Sequence, residues 1–136
     1  MLLRLIPRPL LQGFATAALL AASAAVSADP VLGTWQTGPD RKDQVAHVAV
    51  ERCGASICGT IRRAFDSTGR EIVTPNVGKR VFWGLQPVGA RRYEGRAFVP
   101  AHGREYDGAL ILDGDRLTVK GCLGPICMSQ KWRRVR

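Results

Sequence analysis

The sequence predicts an all-β protein, a small antiparallel up-and-down β-barrel of about eight strands behind a cleavable export segment. Short runs rich in β-branched and aromatic residues recur at regular spacing. Gly, Pro, Asp and Asn punctuate them. Helical periodicity is nearly absent beyond the first turn signal at Asp29-Pro30.

The N-terminus comes first. Arg4 and Arg8 precede an Ala- and Leu-rich run from Leu10 to Ala22. Val26-Ser27-Ala28 then supplies the small residues that a signal peptidase accommodates, so cleavage is expected after Ala28. A retained membrane anchor is the alternative. Gln12 and Gly13 interrupt the apolar run and weaken insertion. No cysteine sits at the cut to carry a lipid, and no second apolar stretch could span a bilayer as a helix. The expected organisation is a signal peptide over 1–28 and a single barrel domain over 29–136. Its location is then exported, periplasmic or secreted.

The chain carries a formal net charge of +9. Cleavage removes two of its 20 basic residues and none of its 11 acids, leaving about +7. Export excludes nucleic acid as a partner. A basic exterior suits peripheral contact with an anionic envelope surface. Scattered charges of this kind also suit a plain solvated surface.

Strands are expected near Val31–Thr37, Val45–Arg52, Ile57–Ala64, Arg80–Leu85, Arg92–Val99, Glu105–Leu112, Arg116–Gly121 and Ile126–Val135. Asp113-Gly114 is the strongest hairpin signal, because both residues tolerate positive φ. Sequential hairpins favour a closed meander without open edges. The longest gap, Asp66 to Lys79, is polar and reads as a mobile loop over one mouth.

Cys53 and Cys58 bracket one turn and Cys122 and Cys127 bracket another, each pair separated by four residues. Local pairing in an oxidising compartment would staple two hairpins. A four-thiolate zinc site is the competing arrangement, and it belongs mainly to reducing compartments. A long-range pairing between the hairpins is the third option.

Alternation places Tyr106, Gly108, Leu110 and Leu112 on one face, and likewise Leu117 with Val119. Met128, Gln130, Trp132 and Arg134 share a face of the last strand. Gly33 and Trp35 are in phase at the start, so Trp35 can plug the barrel base. Arg134 is then the candidate to lie on its indole as a cation–π stack. Arg63, Trp83, Tyr106, Met128 and Trp132 are the candidates to line a ligand pocket. Such a pocket suits a small amphiphilic or anionic molecule, although these aromatics serve equally well as solid core.

No nucleophile elbow, zinc-protease helix or phosphate loop occurs. His47 and His102 are isolated and read as surface residues. The expectation is a non-enzyme without cofactor or metal.

The elements Gly33-Thr-Trp35, Cys58-Gly59-Thr-Ile61, Gly95 with Pro100, Gly103-Arg-Glu-Tyr106, Leu117-Thr-Val119-Lys-Gly121-Cys122 and Trp132-Arg-Arg134-Val135 occur in this order over nearly the whole mature chain. Together they resemble domain of unknown function 2147, a family of exported bacterial proteins. Its start and end motifs are similar to those of lipocalin-type, calycin barrels. Glu94 and Phe98-Val99 depart from the family pattern, which has Gly-Gly and Tyr-Asp-Pro there. The resemblance implies a lipocalin-like barrel and no established activity.

Overall fold

The structure is a computed structural model that describes residues 6–23 and 28–136. Residues 6–23 are exposed and lack regular secondary structure. Most of the expected cleavage motif, at Val26-Ser27-Ala28, lies outside the described residues. Among the described residues no helix is long and apolar enough to cross a membrane.

The β-branched runs form strands in the expected order. They are β1 (Gly33–Gln36), β2 (Val45–Cys53), β3 (Ser56–Phe65), β4 (Glu71–Ile72), β5 (Arg80–Gly89), β6 (Arg92–Val99), β7 (Arg104–Asp113), β8 (Arg116–Leu123) and β9 (Ile126–Arg134). Every pairing is antiparallel, and β9 returns to β1 through Trp35↔Arg134. With β2 paired to β3, eight strands close into a ring, and β4 adds only to the end of β3. Closure pairs the edges that an open sheet would expose.

Three local details differ from the expectation. The first strand begins at Gly33 rather than Val31, because Pro30 and Val31 form a turn across the barrel end. The β7–β8 turn is centred on Gly114-Asp115, one residue later than Asp113-Gly114. Gly114 takes φ +58, the left-handed first position that such a two-residue turn assigns to glycine. The Asp66–Lys79 gap is also more than a loop. Asp66 Oδ1 accepts the backbone N–H of Thr68 and Arg70, folding the chain back into β4. Gly78 N–H then donates to Ile61 O at 2.7 Å, tying the segment's end to β3.

The cysteines pair locally. Cys53–Cys58 joins β2 to β3 with a Cα separation of 5.8 Å, and Cys122–Cys127 joins β8 to β9 at 4.1 Å. Cys122 and Cys127 are direct register partners, whereas Cys53 and Cys58 are diagonal. Each closes a very short loop, so removing either bridge by paired alanine substitution is expected to cost about 2 kcal/mol. Urea unfolding of each double variant measures this. Alkylation followed by mass measurement should label four thiols only after reduction, and labelling without reduction would refute the pairing.

The core runs through the barrel from Val31 and Trp35 to Leu117 and Trp132. Among the described residues, every strand and every core residue lies within 29–136.

Candidate functional site

The meander gives the barrel two unlike ends. At one end the turns after β2, β5 and β7 meet the segment 29–32, and this end is shut. Val31 and Trp35 are fully buried there. Trp35 Nε1 donates to Val31 O at 2.9 Å. The Arg134 guanidinium lies 4.3 Å from the Trp35 ring centroid. It also donates to Leu32 O at 2.9 Å and Pro30 O at 2.6 Å, and pairs with Asp115 at 3.3 Å. Gly33 is required at this crossing. It takes φ +133, and a Cβ there would stand 2.9 Å from Arg134 Nη1. The Tyr93 hydroxyl donates to Asp29, adding a latch from β6. Burial, reinforced by that hydrogen bond and the Asp29 charge, holds the phenol well above its ordinary range.

The other end carries the longer connections, and a cavity of about 380 Å³ opens there. Its inner wall includes Val48, Ile61, Val81, Phe82, Ala97, Val119 and Trp132. Its mouth is bordered by Thr37, Asp40 and Gln44 from the β1–β2 loop, Thr74 and Asn76 from the 66–79 segment, and Pro100 and Ala101 after β6. Met128 and Gln130 come from β9. Trp132 Nε1 donates to Gln130 Oε1 at 2.6 Å, which satisfies the indole at the wall. An apolar interior with hydrogen-bonding groups at the entrance is the usual composition of a small-molecule site, and the volume falls in the range of such sites.

The structure brings Met128 and Trp132 together on this wall, as their shared phase predicts. Tyr106 is buried but does not line the cavity, and its hydroxyl lies 2.9 Å from His102 Nδ1. Arg63 and Trp83 are the corrections, and both follow from irregular pairing. His47 faces Arg63 while the next residue, Val48, faces Ile61, so Arg62 is an extra residue in β3. That bulge reverses the phase beyond Ile61 and sends Ala64, not Arg63, inward. Arg63 instead pairs with Glu71 outside the barrel and lies 5.1 Å from the Phe65 ring centroid.

In β5 the register shifts between Trp83 and Gln86, around Gly84 at φ +63. Val81, Phe82 and Leu85 are buried, while Trp83 stands opposite Arg96, whose guanidinium engages Asp107 outside the barrel. His47 lies outside the cavity too. Its Nε2 is 3.3 Å from Gln36 Oε1, and burial followed by the Arg63 charge lowers its pKa.

Phe82 and the small residues Ala46, Ala64 and Ala97 were not singled out from sequence, yet they shape the space. The signal for Phe82 is Gly59. A Cβ at position 59 would come within 2.4 Å of the Phe82 ring, so the glycine lets the ring lie flat against the wall. Phe82 and Trp132 then sit with ring centroids 5.9 Å apart.

A family profile described as an uncharacterized protein conserved in bacteria (DUF2147) matches residues 33–134. A search of curated protein sequences returned no match. Among solved structures, protein HP1028 from Helicobacter pylori, described as belonging to the lipocalin family, is similar with a TM-score of 0.61. The two are 16% identical, and the match covers 77% of this chain and 82% of that one. At that identity the likeness concerns the fold.

Proposed function

We propose, for a chain that belongs to the bacterial DUF2147 family, non-covalent binding of a small amphiphile in the open end of a lipocalin-like barrel. The cavity of about 380 Å³, apolar within and polar at its mouth, carries this reading. The apolar body of the ligand takes the space between Phe82, Val119 and Trp132. Its polar head stays among Thr37, Gln44, Thr74 and Asn76. The charged residues in the lining are Lys120 and Asp40, so the head needs hydrogen-bonding capacity and can place a negative charge beside Lys120. The role is binding rather than catalysis. Export to the periplasm or beyond fits the N-terminal segment and the two cystine hairpins.

The test is titration of the 29–136 chain with N-phenylnaphthylamine, a small apolar fluorophore with one polar nitrogen. Saturable one-to-one binding is expected. Ala46 lines the cavity and is partly buried against the core, so Ala46→Phe should fill space at the entrance. An affinity loss of about tenfold, equivalent to about 1.4 kcal/mol, is expected, with a cooperative urea transition checking that the variant is folded. Absence of saturable binding by the parent, or an affinity unmoved by Ala46→Phe, would sink the proposal.

A further inference from the structure

A row of outward side chains crosses five neighbouring strands and carries three arginines and a histidine. It runs through the direct register pairs Arg116↔Arg133, Arg133↔Gln36, Gln36↔His47 and His47↔Arg63, from β8 through β9, β1 and β2 to β3. Directly paired residues of an antiparallel sheet stand on the same face. Here it is the outer face, since the chain neighbours Leu117, Trp132, Trp35 and Val48 are buried inside the barrel. The middle of the row is held in place. His47 Nε2 is 3.3 Å from Gln36 Oε1, and the imidazole centroid lies 4.5 Å from that of the Phe65 ring.

The charged groups facing His47 are Arg63 on β3, Glu71 on β4 and Arg133 on β9. Burial and then the Arg63 charge lower its pKa; Glu71 opposes them, and Arg133 adds to them. Both guanidinium charges therefore act on the imidazole between them. Arg63 already has a counter-ion in Glu71. Arg116 and Arg133 are exposed and, among the described residues, make no salt bridge. Like charges placed opposite on a sheet destabilise it, and an anion held by Arg133 would relieve the repulsion.

We propose that Gln36, His47 and Arg133, flanked by Arg63, form an outer site for a phosphate group, and that His47 takes up a proton as the anion binds. The planar guanidinium of Arg133 offers a pair of donors that matches phosphate oxygens. With Nε2–H donated to Gln36 Oε1, protonation of His47 places the new proton on Nδ1 and makes the ring a cation beside the anion. The linkage is reciprocal, so the bound anion raises the histidine pKa by the same factor by which protonation tightens binding. Binding therefore strengthens as pH falls through the histidine range. The site is independent of what occupies the cavity, which none of these four side chains lines.

Sulfate is the probe for the pH profile, because it shares the tetrahedral shape of phosphate and stays a dianion across the histidine range. The NMR signal of His47 Cε1–H in the 29–136 chain is followed against pH, with and without sulfate at constant ionic strength, and His102 serves as the internal control. Saturating sulfate should raise the His47 pKa by about one unit and leave His102 unmoved, which corresponds to binding about tenfold tighter below the histidine range than above it. Arg133→Gln should weaken sulfate binding about tenfold. His47→Gln should keep the parent's alkaline affinity and lose the pH dependence. An unmoved His47, equal shifts in both histidines, or an Arg133→Gln chain that binds like the parent would overturn the site.

Two further arms identify where the phosphate comes from. Saturable binding of inorganic phosphate without flotation on vesicles of phosphatidic acid and phosphatidylcholine assigns a soluble phosphate compound. Flotation that Arg133→Gln abolishes, alongside saturable phosphate binding, assigns a lipid-held phosphate. Flotation without saturable phosphate binding counts against the site, because charge spread over the whole surface would then suffice.

Discussion

Replacing Trp35 by alanine is expected to cost about 3–5 kcal/mol, a large share of the stability of a domain this size. Trp35 is fully buried, so the substitution leaves a cavity where the shut end meets the core. The Nε1 bond to Val31 O disappears with it, and segment 29–32 loses its seat. Arg134→Ala is expected to cost about 2–3 kcal/mol. The loss is mainly two charge-assisted hydrogen bonds, to Leu32 O and Pro30 O, together with the stack on Trp35.

Arg134→Lys should fall in between, because an ammonium on a flexible stem cannot hold two carbonyls and a flat aromatic contact at once. Urea unfolding followed by circular dichroism gives the order directly: Trp35→Ala lowest, then Arg134→Ala, then Arg134→Lys, then the parent. An Arg134→Ala variant within about 0.5 kcal/mol of the parent would show that the latch is incidental.

Gly59→Ala is the second substitution with a large expected effect, and it acts on stability and binding together. The new methyl would stand 2.4 Å from ring atoms of Phe82, which is 1% exposed and cannot swing into solvent. The ring's free side is the cavity that it lines. Overpacking of this kind costs about 1–3 kcal/mol. The displaced ring also occupies ligand space, so fluorophore affinity should fall about tenfold. Phe82→Leu alone enlarges the cavity and destabilises.

In the Gly59→Ala background, Phe82→Leu should recover both stability and binding. The double-mutant cycle should therefore show a coupling of about 1 kcal/mol or more. Additive behaviour within about 0.3–0.5 kcal/mol would mean that the two residues do not share the space described.

The two pairs differ in how far a reader of the sequence could find them. Trp35 and Arg134 were legible together. Each sits in phase with an apolar neighbour or motif at a chain end, and an antiparallel closed meander must bring its first and last strands side by side. Gly59 and Phe82 were not. They are 23 residues apart, and they meet through β3–β5 pairing that shifts register at Gly59 itself. Nothing in the local pattern states that shift. Similarly, Gly95 packs where a Cβ would meet Trp83 O at 2.7 Å, a contact that exists only once β5 and β6 are paired.

The sequence by itself determined the order and approximate positions of the eight barrel strands, the barrel class, both cystine hairpins as the simplest pairing, and the stack that shuts one end. These rest on alternation, turn chemistry and short-range spacing, which are properties of a few consecutive residues. Only the tertiary structure decided which side chains face the cavity and that a cavity exists. One extra residue at Arg62 and a left-handed glycine at Gly84 reverse the phase of two strands, so Arg63 and Trp83 point outward and Ala64 and Phe82 inward. A bulge costs the local pattern nothing and changes the face of every residue beyond it, because the side-chain period in a strand is two.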